Sequence, residues 1–179
     1  MTDAPHYVLR LARAGELARL QTLEDDAGRM FGEVGIDPDL PGLSDEELER
    51  GLGEGLLWVL ADDEDDPIAF ALVQGYPDAL HLRELDVVPT HMRHGLGRRL
   101  VEHVRAQATA RGLTWVTLTT FADVPWNAPL YRRYGFVELA EAEQPSWLRQ
   151  IRAHEDRGVL AAWPRVAMGL RGRAGDESP

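Results

Sequence analysis

Residues 91–100 read HMRHGLGRRL, with two glycines, three arginines, two histidines and no acid, in a chain whose formal net charge is −11. The stretch lies between an apolar run that ends at Pro89 and a helical pattern that begins near Gly95. A helix N-terminus has unpaired backbone N–H groups and a partial positive charge, so it prefers an anion. Arg93, His94, Arg98 and Arg99 have the wrong sign for that end of the dipole. Gathering them there costs free energy unless something negative binds, and a diphosphate fits. Gly95 and Gly97 lack Cβ atoms, so their backbone can approach phosphate oxygens closely. The plainer alternative pairs Arg98 with Glu102 at i,i+4 on a solvated face. Two common phosphate loops do not match. A dinucleotide fingerprint begun at Gly95 requires Gly or Ala where Leu100 stands, and no G-x-x-x-x-G-K-[ST] occurs. His91 and His94 at i,i+3 lack a third ligand in the loop, so no metal is expected.

The elements that must position this loop follow from periodicity. The 179 residues fit one domain over 1–179, and a hydrophobic fraction of 44% is enough for a sizeable core. Thirty acids against 19 basic residues argue against general binding to nucleic acid or an anionic membrane, and there are no cysteines for disulfides, thiolate metal sites or a nucleophile. The first residues are too charged for a signal peptide and no stretch reaches the length of a membrane span, so a cytoplasmic protein is expected. Strands are predicted over 7–12, 56–61, 67–76, 79–88, 113–120, 136–140 and 165–170. Helices are predicted over 14–30, from Ser44, over 95–111, over 127–134 with Asn127 as N-cap, and over 146–157. The acidic run 62–66 reads as a solvated hairpin tip, and 171–179 as a frayed tail. Three consecutive strands in an otherwise irregular alternation imply an α/β (α+β) fold on a mixed sheet of about seven strands.

With the loop preceded by a strand, LRELDVVPTHMRHGLGRRL resembles the coenzyme A loop of the GNAT (GCN5-related) N-acetyltransferases. In that family a strand and [QR]-x-x-G-x-[GA] precede a helix whose start holds the coenzyme A pyrophosphate. Val87, Pro89, Gly95 and Gly97 match, while Met92 takes the usual Gln/Arg position. VPWNAPLYRRYGF (124–136) supplies the family's second signature, Y-x-x-x-G-F, at the expected distance. The order of elements agrees from residue 7 to about 140.

The resemblance implies the GNAT fold, with a central twisted, mostly antiparallel sheet and a coenzyme-binding core at about 80–140, followed by a helix and strand over 146–170. It implies acetyl transfer from acetyl-CoA to an amine of a small molecule or protein by direct attack in a ternary complex. Met92, Arg93, His94, Gly95, Leu96, Gly97, Arg98 and Arg99 then hold the coenzyme, and the N–H of Val87 or Val88 stabilises the oxyanion. Tyr131 matches the tyrosine that protonates the departing thiolate; Tyr134 reads as core. For the base, alternation places Glu84 on one face with Leu82 and Asp86, and His81 competes with it. Asn127 is not aligned with the family's common asparagine, which falls at Val124. Trp126 is placed to line the acceptor pocket, and the remaining tryptophans read as core. A homodimer is left open. The rival reading, motivated by Met92, is a coenzyme A-binding regulatory module of the same fold without turnover.

Overall fold

The computed structural model describes residues 6–37, 40 and 42–172. Most of the tail expected to fray, 173–179, lies outside them. The main elements are β1 (Val8–Leu11), α1 (Leu17–Gly28), α2 (Asp45–Gly53), β2 (Leu57–Ala61), β3 (Pro67–Gly75) and β4 (Ala79–Val87). They continue with α3 (Leu96–Ala110), β5 (Trp115–Phe121), α4 (Ala128–Arg133), β6 (Val137–Glu138), α5 (Ser146–Glu155) and β7 (Arg165–Arg171). The seven strands hydrogen-bond in the order β1-β2-β3-β4-β5-β7-β6. Pairings β1–β2, β2–β3, β5–β7 and β6–β7 are antiparallel and β4–β5 is parallel, so the sheet is mixed as expected. A parallel pair cannot close through a tight turn, and α3 lies in the connection between β4 and β5.

The chain forms two compact units, Met1–Gly75 with Leu82–His103, and Tyr76–His81 with Val104–Pro179. In the first, the three- and four-residue spacing on α1 buries Leu20 and Leu23 against Leu48 of α2, Leu57 and Val59 of β2, and Phe70 and Leu72 of β3. A Cβ at Gly51 would collide with Leu72 Cδ1, so glycine there lets α2 approach β3 closely. α2 starts as the sequence predicts. Ser44 Oγ accepts from Glu47 N–H at 3.2 Å while Glu47 Oε2 accepts from Ser44 N–H at 3.0 Å, closing a capping box.

The acidic tip departs from expectation, because it is paired rather than merely solvated. Asp65, at φ +63°, accepts from Arg10 Nε at 2.9 Å and is also bridged by Arg13, while Arg19 reaches Asp66 at 3.0 Å. Three of the four tryptophans read as core also depart. Trp58 is 4% exposed, with the His103 ring edge-on at 5.0 Å, but Trp115, Trp147 and Trp163 are only part-buried.

In the second unit β7 pairs with β5 along its whole length, from Trp115 opposite Arg171 to Phe121 opposite Arg165. Arg171 stacks over the Trp115 ring at 5.0 Å and Arg165 over the Phe121 ring at 4.7 Å. β6 is shorter than predicted, two residues in place of 136–140. One further bond, Leu139 N–H to the Ala167 carbonyl at 2.9 Å, follows before the chain turns at 141–143.

Candidate active site

In the first unit the chain leaves β4 at Val87, makes one helical turn at Pro89–His91, and enters α3 at Leu96. Two residues between them have positive φ, Arg93 at +66° and Gly95 at +75°. A Cβ at Gly95 would meet nothing within 4 Å, so glycine serves the backbone conformation there, and leaves the approach open. The first carbonyl-directed bond of the helix is Arg99 N–H to Gly95 at 3.0 Å. The N–H groups of Leu96, Gly97 and Arg98 precede it and have no carbonyl within the helix.

Arg93 and Arg98 are exposed and, among the described residues, held by no ion pair. Arg99 instead donates to the Tyr7 carbonyl at 2.9 Å, so it braces the loop against the start of β1. His94 Nδ1 donates to the His91 carbonyl at 3.1 Å and His91 Nδ1 sits 3.0 Å from Thr90 Oγ1. The arrangement is an N–H cradle flanked by two uncommitted guanidinium groups, which suits a diphosphate.

The same unit holds the strand that leads into the loop. Val88 N–H is donated to the Ile68 carbonyl at 2.9 Å, which leaves Val87 as the candidate oxyanion donor of the two. Glu84, 29% exposed in its side chain, lies 3.5 Å from Arg83 Nη1, and Arg83 Nε donates to Glu47 Oε1 at 2.9 Å. Alternation assigns Arg83 to the opposite face from Glu84, but its long side chain reaches both carboxylates. Glu24 of α1 accepts from Leu43 N–H with both oxygens, at 2.9 and 3.0 Å. Burial, reinforced by the charge of Glu84, pushes the Glu24 carboxyl up to about 7 against the pull of Leu43 N–H and Arg83. Burial followed by the charges of Glu84 and Glu24 also holds the Asp86 carboxyl well above the usual range.

In the second unit His81 is 2% exposed. Its Nδ1 is 3.0 Å from Thr117 Oγ1, and its ring meets Tyr76 and Trp147 edge-on at 6.1 and 5.7 Å. Tyr76 and Trp147 stack at 3.9 Å, and Trp147 Nε1 donates to Asp78 Oδ1 at 3.0 Å. These contacts give His81 the character of a packed core residue. A neighbouring cavity of about 190 Å³, bounded by Thr117 and Trp147, falls below the usual size of small-molecule sites.

Tyr131, in α4, is 9% exposed, with Phe136 edge-on at 5.5 Å and Tyr134 at 6.2 Å. Tyr134 is part-buried rather than core. Asn127 precedes α4 as predicted, but its side chain does not cap the helix. Nδ2 donates to Thr120 Oγ1 at 2.7 Å, tying the helix start to β5.

The second unit also holds a buried ion network that the sequence did not reveal. Glu155 accepts from Thr119 Oγ1 at 2.6 Å, from Arg152 at 2.6 Å and from Arg165 at 3.1 Å. Burial alone would raise its carboxyl, but Arg165, Thr119 and Arg152 outweigh burial and hold it below the usual glutamate value. A depressed carboxylate stabilises the fold above its unfolded pKa, and that stability is lost as pH falls through the folded value. Glu155→Gln should therefore cost about 3 kcal/mol at pH 7 in urea unfolding. The loss should shrink as pH drops below about 4.3. A variant as stable as wild type at pH 7 would show the network to be energetically idle.

The acetyltransferase (GNAT) domain family matches residues 53–138. A [ribosomal protein bS18]-alanine N-acetyltransferase from Salmonella typhimurium is 30% identical over 109 residues, covering 61% of this chain and 72% of that protein. The chain belongs to the GNAT acetyltransferases. It is thus an enzyme of acyl transfer that uses acetyl-CoA. Solved structures bear out the fold. The ribosomal-protein-S18-alanine N-acetyltransferase from Escherichia coli superposes with a TM-score of 0.67 at 20% identity, over 97% of this chain and 99% of that one. An N-acetylglutamate synthase from Neisseria gonorrhoeae, complexed with coenzyme A and N-acetyl-glutamate, reaches 0.74 at 20% identity. That match covers 96% of this chain but 36% of the synthase.

Within this GNAT acetyltransferase, the first unit brings together Glu84, Val87, Val88 and the 92–99 loop, whereas His81 and Tyr131 belong to the second. Val124, at the family's asparagine position, is 7% exposed and packs as core. Sequence reasoning passed over Glu24. Its signal was a carboxylate four residues after Leu20 and three before Ala27, inside the apolar stripe of α1.

Proposed function

We propose that this GNAT acetyltransferase moves acetyl from acetyl-CoA to a primary amine of a small molecule or protein by direct attack in a ternary complex. The observation that carries the reading is the loop before α3, where the first N–H groups of the helix lack a carbonyl within it and exposed Arg93 and Arg98 flank them, an arrangement that suits the coenzyme's pyrophosphate. Glu84 takes the proton of the incoming ammonium. The amine nitrogen then forms its bond to the acetyl carbon, and the oxyanion is met by Val87 N–H. The C–S bond breaks as Tyr131 gives its proton to the thiolate, and the second proton shed by the nitrogen as it becomes an amide restores the tyrosine hydroxyl. We place the reaction in the cytoplasm.

Incubating the purified chain with acetyl-CoA and a panel of amines and peptides should release thiol and yield an acceptor heavier by one acetyl group. Coenzyme A binding without thiol release from any acceptor would favour the regulatory module instead. The loop has its own test. Arg98→Glu puts an acid in the first turn of α3, where the dipole favours it, so thermal stability should hold or rise slightly. Coenzyme A affinity should fall at least tenfold, about 1.4 kcal/mol, by calorimetry. Unchanged affinity would remove the pyrophosphate from this loop.

A further inference from the structure

Arg83 joins two carboxylates that lie on different elements of the first unit. Its Nε donates to Glu47 Oε1 at 2.9 Å, and its Nη1 lies 3.5 Å from Glu84 Oε2. Glu47 is itself fixed. Its other oxygen, Oε2, accepts from Ser44 N–H at 3.0 Å and from Ser44 Oγ at 3.1 Å in the capping box of α2. A continuous chain of polar contacts therefore runs from the start of α2, through a guanidinium, to the carboxylate on β4. A guanidinium suits this post better than an ammonium, because its N–H groups point in fixed, separate directions and one can serve each carboxylate. Its charge is also permanent. Burial works against the Arg83 cation, but Glu84 and Glu47 outweigh burial and hold it above the ordinary arginine value.

We propose that Arg83 is a positioning residue for acetyl transfer: anchored by Glu47, it orients the Glu84 carboxylate and keeps it charged, ready to accept the ammonium proton of the acceptor. This rests on the reading of Glu84 as the base. The proton passes from the acceptor nitrogen to a Glu84 oxygen, and Arg83 gives up none of its own.

Without a neighbouring cation Glu84 would hold a proton too readily. Its charge acts on Glu24 of α1 and on Asp86 of β4, and theirs act on it in return. Glu47 of α2 is a further negative charge on the other side of Arg83, and Asp25 raises Glu24 from its own helix. Glu24, pushed up to about 7 by burial and then by Glu84, gains its charge near neutrality. A base that must stay ionised among these acids needs a cation that does not titrate with them. An opposite charge lowers a carboxylate's proton affinity, so removing Arg83 raises that of Glu84. Fewer molecules are then ionised at low pH, and the acid limb of kcat/KM moves to higher pH.

The test begins with carbon-13 NMR on the full chain labelled at glutamate carboxyls, with the Glu84 signal identified by its loss in Glu84→Gln. Arg83→Gln removes the charge and keeps a donor for one carboxylate. It should raise the Glu84 titration midpoint by about one pH unit. The acid limb of kcat/KM, measured with acetyl-CoA and the panel acceptor that releases thiol fastest, should move by the same amount, while the high-pH rate approaches wild type. Arg83→Lys restores the charge and should return both most of the way. Added to Glu84→Gln, Arg83→Gln should change the pH profile no further, because its effect passes through Glu84. A Glu84 midpoint that does not move in folded Arg83→Gln overturns the proposal, and so does a full additive loss in the double variant. Thermal unfolding checks the fold. Should Arg83→Gln fail to fold, the wild-type titration decides: a Glu84 mostly protonated at pH 7 overturns the proposal, and one ionised there upholds it. If the midpoint moves in Arg83→Gln but Glu84→Gln keeps the wild-type pH profile, the base reading fails and the hold of Arg83 on Glu84 stands. If Glu84→Gln depresses the low-pH rate while Arg83→Gln moves neither midpoint nor limb, the positioning role alone fails.

Discussion

Tyr131→Phe should lower turnover by roughly 10²-fold or more, about 2.7 kcal/mol of transition-state stabilisation, while acetyl-CoA binding barely changes. The substitution removes one oxygen and keeps the ring. That matters because Tyr131 is 9% exposed and its ring packs edge-on to Phe136 at 5.5 Å and Tyr134 at 6.2 Å, contacts that phenylalanine retains. Its carbonyl also accepts Phe136 N–H at 3.1 Å, a main-chain bond indifferent to the hydroxyl. Stability should thus change little, and a loss confined to kcat is the signature of a proton donor to the leaving group. Tyr134 is the built-in control, since it sits three residues on in sequence and is only part-buried. A loss of equal size in Tyr134→Phe, with Tyr131→Phe near wild type, would reassign the acid to Tyr134.

Local signals in the sequence reached the elements and the loop, because both are made by neighbours in the chain. The α1 stripe, the Ser44–Glu47 capping box and the Gly95 turn each depend on residues within four positions of one another. What stayed hidden is long-range. Asp65 finds Arg10 across 55 residues, and Glu155 finds Thr119 across 36. No periodicity encodes such pairings. Asn127 shows the competition directly, since a residue type suited to capping turned instead to a hydroxyl seven positions back. The carboxylates of Glu24 and Asp86 lie between these cases. Glu24 stands inside the apolar stripe of α1, a signal the sequence reading passed over, and only the fold of the first unit brings its charge to bear on Asp86.

The second large effect is expected from Glu84→Gln, and it should depend on pH. A primary amine with an ordinary pKa of about 10.4 is almost wholly protonated at neutrality, so transfer needs something to take its proton. Glu84 is placed for this, on β4 three residues before Val87, with its side chain still 29% exposed and Arg83 3.5 Å away. Removing the carboxylate should depress the rate most at low pH, by roughly 10²-fold. The rate should then recover in part as rising pH supplies free amine. His81→Gln separates the alternatives. His81 is 2% exposed and its Nδ1 is engaged with Thr117 Oγ1 at 3.0 Å, so its loss should show as reduced stability with the pH–rate profile unchanged in shape. If His81→Gln instead reproduces the low-pH depression while Glu84→Gln follows wild type, the base is His81. A loss in Glu84→Gln that is uniform across pH would point to a third outcome. It would make the Arg83–Glu84 pair a binding or structural contact with no part in the proton transfer.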